Sequence, residues 1–120
     1  MNLEPTSFND VKKRITLDFD GVFNEYKGWN DYLPIPKPQK GLIPFLKELS
    51  KNYEILICTA RNTDDVKEWL QKYDLCKYIT HVSNTKYPSI VYVDDRGITF
   101  NGNYDETLQQ IKQFKTYWED

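Results

Sequence analysis

The chain has 120 residues, 39% hydrophobic and 28% charged, with 16 basic residues against 18 acidic ones and a formal net charge of −2. That length fits one domain with a single core. The balanced charge excludes a general electrostatic surface for nucleic acid or acidic membrane, and no apolar run approaches the length of a membrane span. The first fourteen residues, MNLEPTSFNDVKKR, lack the apolar stretch of a secretory signal. Cys58 and Cys76 have no metal-ligand spacing and read as reduced thiols of a cytoplasmic protein.

In chain order, Arg14–Asp18 reads as a first strand that runs into Asp18 and Asp20. Residues 24–39, NEYKGWNDYLPIPKPQ, carry three prolines and read as a loop or flap, because proline forbids helix and interior strand. Gly41–Lys51 has helical spacing with Leu42, Phe45, Leu46 and Leu49 on one face. Glu54–Cys58, EILIC, is a short run suited to a strand buried on both faces. Thr63–Tyr73 returns to helical spacing through Val66, Trp69, Leu70 and Tyr73, with Asn62 as its cap.

Tyr78–Val82 is a weaker third strand and Ile90–Val93 a strong fourth. Ile98–Phe100 is a candidate for a short extra strand. A last helix is expected over Asp105–Trp118, with Leu108, Ile111 and Trp118 inward and Asn103 and Glu106 arranged as a capping box. The alternation predicts an α/β fold, a three-layer Rossmann-like sandwich with a mainly parallel sheet.

The polar residues fall at the strand ends. The first strand leads to Asp18 and Asp20, the second to Thr59, the fourth to Asp94 and Asp95. Open parallel sheets bind ligands outside those ends, near the point where strand order reverses. A group of carboxylates gathered there repels itself unless it is protonated or shares a cation, and Mg²⁺ suits few carboxylates with water and phosphate oxygens. An isolated Asp-Asp pair is otherwise a solvated turn, and Thr59 alone a helix cap. It is their joint placement that argues for a site.

LDFDGV (17–22), ILICTAR (55–61) and TKYPSIVYVDDRG (85–97) resemble, in order, the four motifs of the haloacid dehalogenase superfamily. The resemblance implies a phosphatase. Asp18 would be the nucleophile that forms an aspartyl-phosphate, and Asp20 the general acid and then base. Thr59 would donate to the phosphoryl group. Lys86, eight residues before Asp94, would neutralise phosphate charge and orient Asp18. Mg²⁺ would be held by Asp18, the Asp20 carbonyl and the acidic pair, with Asp95 the direct ligand and Asp94 a partner behind it.

Arg61 and Arg96 either reach substrate or pair with nearby acids. Trp29, with Tyr26 and Tyr32, either stacks on a base or sugar of the substrate or anchors the flap. His81 is expected to be structural.

Asp18 and Thr59 lie 41 positions apart, and Thr59 and Lys86 lie 27 apart. Neither interval houses a cap domain. The expectation is a capless phosphatase whose open site is shaped by the flap or by a second subunit of a homo-oligomer. Its phosphorylated substrate could be a small molecule, a nucleotide or a macromolecular end. Two other readings compete: a receiver-like phospho-acceptor module, and a non-catalytic phosphate-binding relative. The motif order opposes the receiver, which carries adjacent acids after its first strand. The presence of every catalytic acid opposes the non-catalytic relative.

Overall fold

The computed structural model describes residues 13–30 and 33–119. Tyr32, one of the three flap aromatics, lies outside the described residues. Four strands form one sheet: β1 (Arg14–Asp18), β2 (Glu54–Cys58), β3 (His81–Ser83) and β4 (Val91–Val93). The helices are α1 (Leu42–Leu49), α2 (Thr63–Lys72) and α3 (Tyr104–Gln113). All strand pairs are parallel and the spatial order is β3-β2-β1-β4. The chain is therefore an α/β protein with a Rossmann-like sheet.

In parallel register, Ile15 lies beside Ile55, and Leu17 beside Ile57, which in turn lies beside Val82. Residues in register share a face. These side chains, with Phe19 and Phe23, form a core with Leu42 and Leu46 of α1 and Val66, Trp69 and Leu70 of α2. A fully buried leucine such as Leu46 contributes about 2 kcal/mol relative to exposure.

The opposite face carries Thr16, Leu56, His81 and Tyr92 in one row. Its cover is thin. The segment Tyr87–Ser89 crosses it, with Ser89 Oγ 2.5 Å from Thr16 Oγ1 and the Tyr92 hydroxyl donating to the Tyr87 carbonyl. His81 packs edge-on against the Tyr87 ring, and burial lowers its pKa, in keeping with a structural role.

Local chemistry sets the helix ends. Asn62 Oδ1 accepts from the backbone N–H groups of Asp64 and Asp65, and acids in the first turn with Lys72 in the last complement the helix dipole. Asp74, at φ 57°, turns the chain away after α2. Helix α1 buries Leu42 and Leu46, but Phe45, expected inward, is exposed. It lies about 100° around the helix from Leu46, at the margin of a narrow stripe.

The C-terminal third departs most from expectation. Of the third strand expected over Tyr78–Val82, Tyr78 instead closes a 3₁₀ turn, Cys76–Tyr78, and the strand starts only at His81, while Ile98–Phe100 forms no strand. Strand β4 is a half-exposed edge. Helix α3 stops at Gln113, well before Trp118, and buries no residue; Leu108 and Ile111 are exposed. Phe114 is already extended, and the released chain carries Tyr117 and Trp118 back to the turn after β1. Half of the expected capping box forms: Asn103 accepts from the Glu106 N–H, while the Glu106 carboxylate receives Asn101.

The flap closes on itself. Asn24 bridges Pro38 in antiparallel fashion, Glu25 N–H donates to the Lys37 carbonyl, and the Trp69 indole donates to the Pro36 carbonyl. Among the described residues, no helix is long and apolar enough to cross a membrane. Cys58 and Cys76 are both free thiols.

Candidate functional site

Strand order reverses between β1 and β4, so the crevice a parallel sheet offers to ligands lies at the carboxyl ends of those two strands. Asp18 closes β1, and Asp94 and Asp95 come directly after β4. Carboxylate oxygens of the three all lie within 4.8 Å of one another. Among the described residues, no lysine or arginine forms an ion pair with any of them. The Asp18 carboxyl is pushed up to about 8, first by burial and then by its hydrogen bond to Asp95 and the charges of Asp94 and Asp95. A hard divalent cation relieves that repulsion with oxygen ligands alone, so the donor set fits Mg²⁺ chemistry.

The approach of Asp95 depends on Gly21. This residue has φ +85°, and a Cβ there would lie 2.2 Å from Asp95 Oδ2 and 2.7 Å from its Cγ. Glycine therefore serves twice, allowing the left-handed turn and leaving room for the carboxylate. The Trp118 indole N–H donates to Asp95 Oδ2 at 2.6 Å, and the Tyr117 hydroxyl donates to the Gly21 carbonyl, which Gln39 also reaches. Asp94 Oδ1 accepts from the Arg96 N–H at 2.8 Å, an Asx turn that aims the Asp-Asp pair.

The carboxylate of Asp20 stands apart from these three. Arg61 Nε donates to both its oxygens, at 3.0 and 2.9 Å, and Asn24 Nδ2 donates to Oδ1 at 3.0 Å. Asn24, fully buried, also accepts from the Gly21 N–H, so one side chain ties the acid to the turn. Thr59 is buried; its Oγ1 accepts from the Arg61 N–H, which leaves the hydroxyl proton free to donate. Asn84 Nδ2 donates to the carbonyls of Thr59 and Arg61 and clamps that turn from the β3 side.

A cavity of about 300 Å³ gathers Asp18, Thr59, Lys86 and Asp94, together with Thr16, Cys58 and Tyr92. Lys86 is exposed at its edge, with Nζ 4.3 Å from the centre of the Tyr92 ring. Burial, then the charge of Asp18, raises the pKa of the Cys58 thiol beside it.

The remaining expectations divide. Arg61 takes the second of its two expected roles, pairing with Asp20, and its guanidinium also lies over the exposed Trp29 ring at 4.7 Å. Arg96 lies over the Trp118 ring at 5.3 Å and forms no ion pair among the described residues. Tyr26 meets Trp118 edge-on, an anchoring contact. Sequence reasoning missed Asn24, Asn84, Gln39, Tyr117 and Trp118. Asn24 offered one signal, a short polar side chain four positions after Asp20 in a glycine turn. The others act across long sequence separations and carried none.

Fold and site together define an α/β chain with an acidic cluster at the switch point of a parallel sheet. Neither the protein-family models nor the curated proteins compared match the chain. Among solved structures, a conserved protein from Bacteroides thetaiotaomicron is similar, with a TM-score of 0.54 and 19% identity over 88% of this chain and 94% of that one. At that identity the likeness concerns the fold alone.

Proposed function

We propose that the chain is a Mg²⁺-dependent phosphomonoester hydrolase of the haloacid dehalogenase type, capless and working through an aspartyl-phosphate. The observation that carries this reading is that Asp18 and Asp94, clustered with Asp95, share one cavity at the switch point with Thr59 and Lys86. A receiver-like or purely binding role has no comparable support in the order of the motifs. The free thiols of Cys58 and Cys76 agree with a reducing, cytoplasmic setting.

In this reading a carboxylate oxygen of Asp18 attacks phosphorus, the bond from phosphorus to the leaving oxygen breaks, and Asp20 gives that oxygen its proton. Water then attacks the aspartyl-phosphate, Asp20 takes a proton from it, and the bond between phosphorus and Asp18 breaks. Thr59 donates to a phosphoryl oxygen, and Lys86 adds positive charge to the cavity. Asp18, Asp95 and Asp94 would hold the cation, which supplies charge neutralisation to the phosphoryl group. Arg61 holds both oxygens of Asp20, so proton transfer requires that pair to open. An incoming phosphate dianion is a competing partner for the guanidinium.

Purified protein is expected to hydrolyse p-nitrophenyl phosphate with Mg²⁺ and not in EDTA. Asp18→Asn is expected to lower turnover by at least about 1,000-fold while the far-UV spectrum is unchanged. Undiminished activity in that variant, or in EDTA, overturns the mechanism.

A further inference from the structure

A second concavity of about 630 Å³ opens on the far side of Arg61, between the flap and α2. Its walls include Trp29 and Leu33 from the flap, Ala60 and Arg61 from the turn after β2, and Asp65 and Glu68 from α2. Ala60 also lines the cavity that holds Asp18, so the two spaces adjoin. Arg61 joins them chemically: its Nε holds Asp20 at 2.9 Å while its guanidinium lies 4.7 Å from the Trp29 ring centre. A leaving oxygen protonated by Asp20 would therefore start at the mouth of this groove.

Three features select the group that this oxygen carries. Trp29 is 57% exposed although Arg61 lies over its ring, which leaves aromatic surface for a planar group. Asp65 and Glu68 offer acceptors for hydroxyl or amino donors. Arg61 is already paired with Asp20, which leaves Lys72 against those two acids in the lining, so the groove carries no excess positive charge to attract a further phosphate. The volume is of the size that holds a small ligand.

We infer that this groove is the leaving-group site of the proposed phosphatase and that its occupant is the nucleoside of a nucleoside monophosphate, with the base against Trp29 and the sugar hydroxyls toward Asp65 and Glu68. The inference rests on the phosphatase reading for the bond that is cut, but the groove binds the nucleoside by its own contacts.

The test compares adenosine 5′-monophosphate with ribose 5-phosphate, which present the same phosphoryl group with and without a base. The wild type is expected to favour the nucleotide in kcat/KM by roughly tenfold or more, the size of one base–aromatic stack. Trp29→Ala is expected to collapse that ratio mainly through KM. Its side chain is exposed, so loss of fold is not expected, and a circular-dichroism melt checks this. Equal hydrolysis of both compounds, with a ratio that Trp29→Ala leaves unmoved, overturns the nucleoside assignment and leaves the phosphatase intact.

If no phosphomonoester is hydrolysed, the phosphatase reading fails and titration with adenosine alone decides the groove. Saturable quenching of tryptophan fluorescence that is lost in Trp29→Ala supports the groove. No quenching at millimolar adenosine overturns it.

Discussion

Gly21 concentrates two constraints in one residue: a positive φ and a carboxylate oxygen 2.2 Å from where a side chain would begin. Gly21→Ala is expected to destabilise the protein by about 1–3 kcal/mol, because the turn and the Asp95 position cannot both survive the new Cβ. Mg²⁺ affinity should fall with it, read by calorimetry. A variant with wild-type melting temperature and affinity would show that Asp95 need not stand beside this turn. Trp118→Phe isolates a different contact, deleting the indole N–H given to Asp95 while keeping an aromatic ring against Tyr26 and Arg96. Partners that orient a metal ligand are worth about 10–100-fold, so if Asp95 holds Mg²⁺ as proposed, the affinity should drop by at least tenfold with little change in melting temperature.

At the scale of elements, α2 is the helix that the site leans on. Its preceding turn presents Thr59 and Arg61, and its first residues form part of the groove wall. Asn62 fastens that turn to the helix by accepting two backbone N–H groups. Asn62→Ala should lower stability by about 1 kcal/mol in urea unfolding. A change under a few tenths of a kcal/mol would mean that water replaces the cap freely. Helix α2 was legible in the sequence because cap, first-turn acids and the apolar spacing of Val66, Trp69 and Leu70 agree. Helix α3 was legible at its start and not at its end. Nothing local forbids a helix through Trp118; the chain leaves it because Tyr117 and Trp118 are engaged by Gly21 and Asp95, nearly a hundred and over twenty residues earlier.

For the whole molecule, the raised Asp18 links the site to stability. An acid at about 8 when folded against 3.8 as a free side chain binds more protons folded than unfolded. Cation-free protein should therefore be favoured at low pH by this group and lose that contribution as pH rises from about 4 through about 8. In the proposed reading Mg²⁺ competes with the proton, so its stabilising shift should be larger at pH 8 than at pH 5, and Asp18→Asn should flatten the difference. Thermal melts at both pH values with and without Mg²⁺ check this. A Mg²⁺ shift independent of pH would contradict the role of Asp18 as the buried member of the cluster.

The sequence by itself determined the parts whose cause is local. Apolar runs of strand length placed β1 and β2 to the residue, since a fully buried strand needs only its own composition. The polar residues that end those strands were equally plain, because Asp18, Asp20, Thr59, Asp94 and Asp95 each interrupt an apolar segment. The gathering of Asp18 with the Asp94–Asp95 pair was expected from their strand-end positions and is met, but only the tertiary structure decided the strand order β3-β2-β1-β4 and turned the Asp20 carboxylate to Arg61. Strand order arises from how crossovers pack, which no single segment records. The same holds for Asn84, Tyr117 and Trp118, whose contacts join positions distant in the chain and whose meaning exists only once the sheet has brought them together.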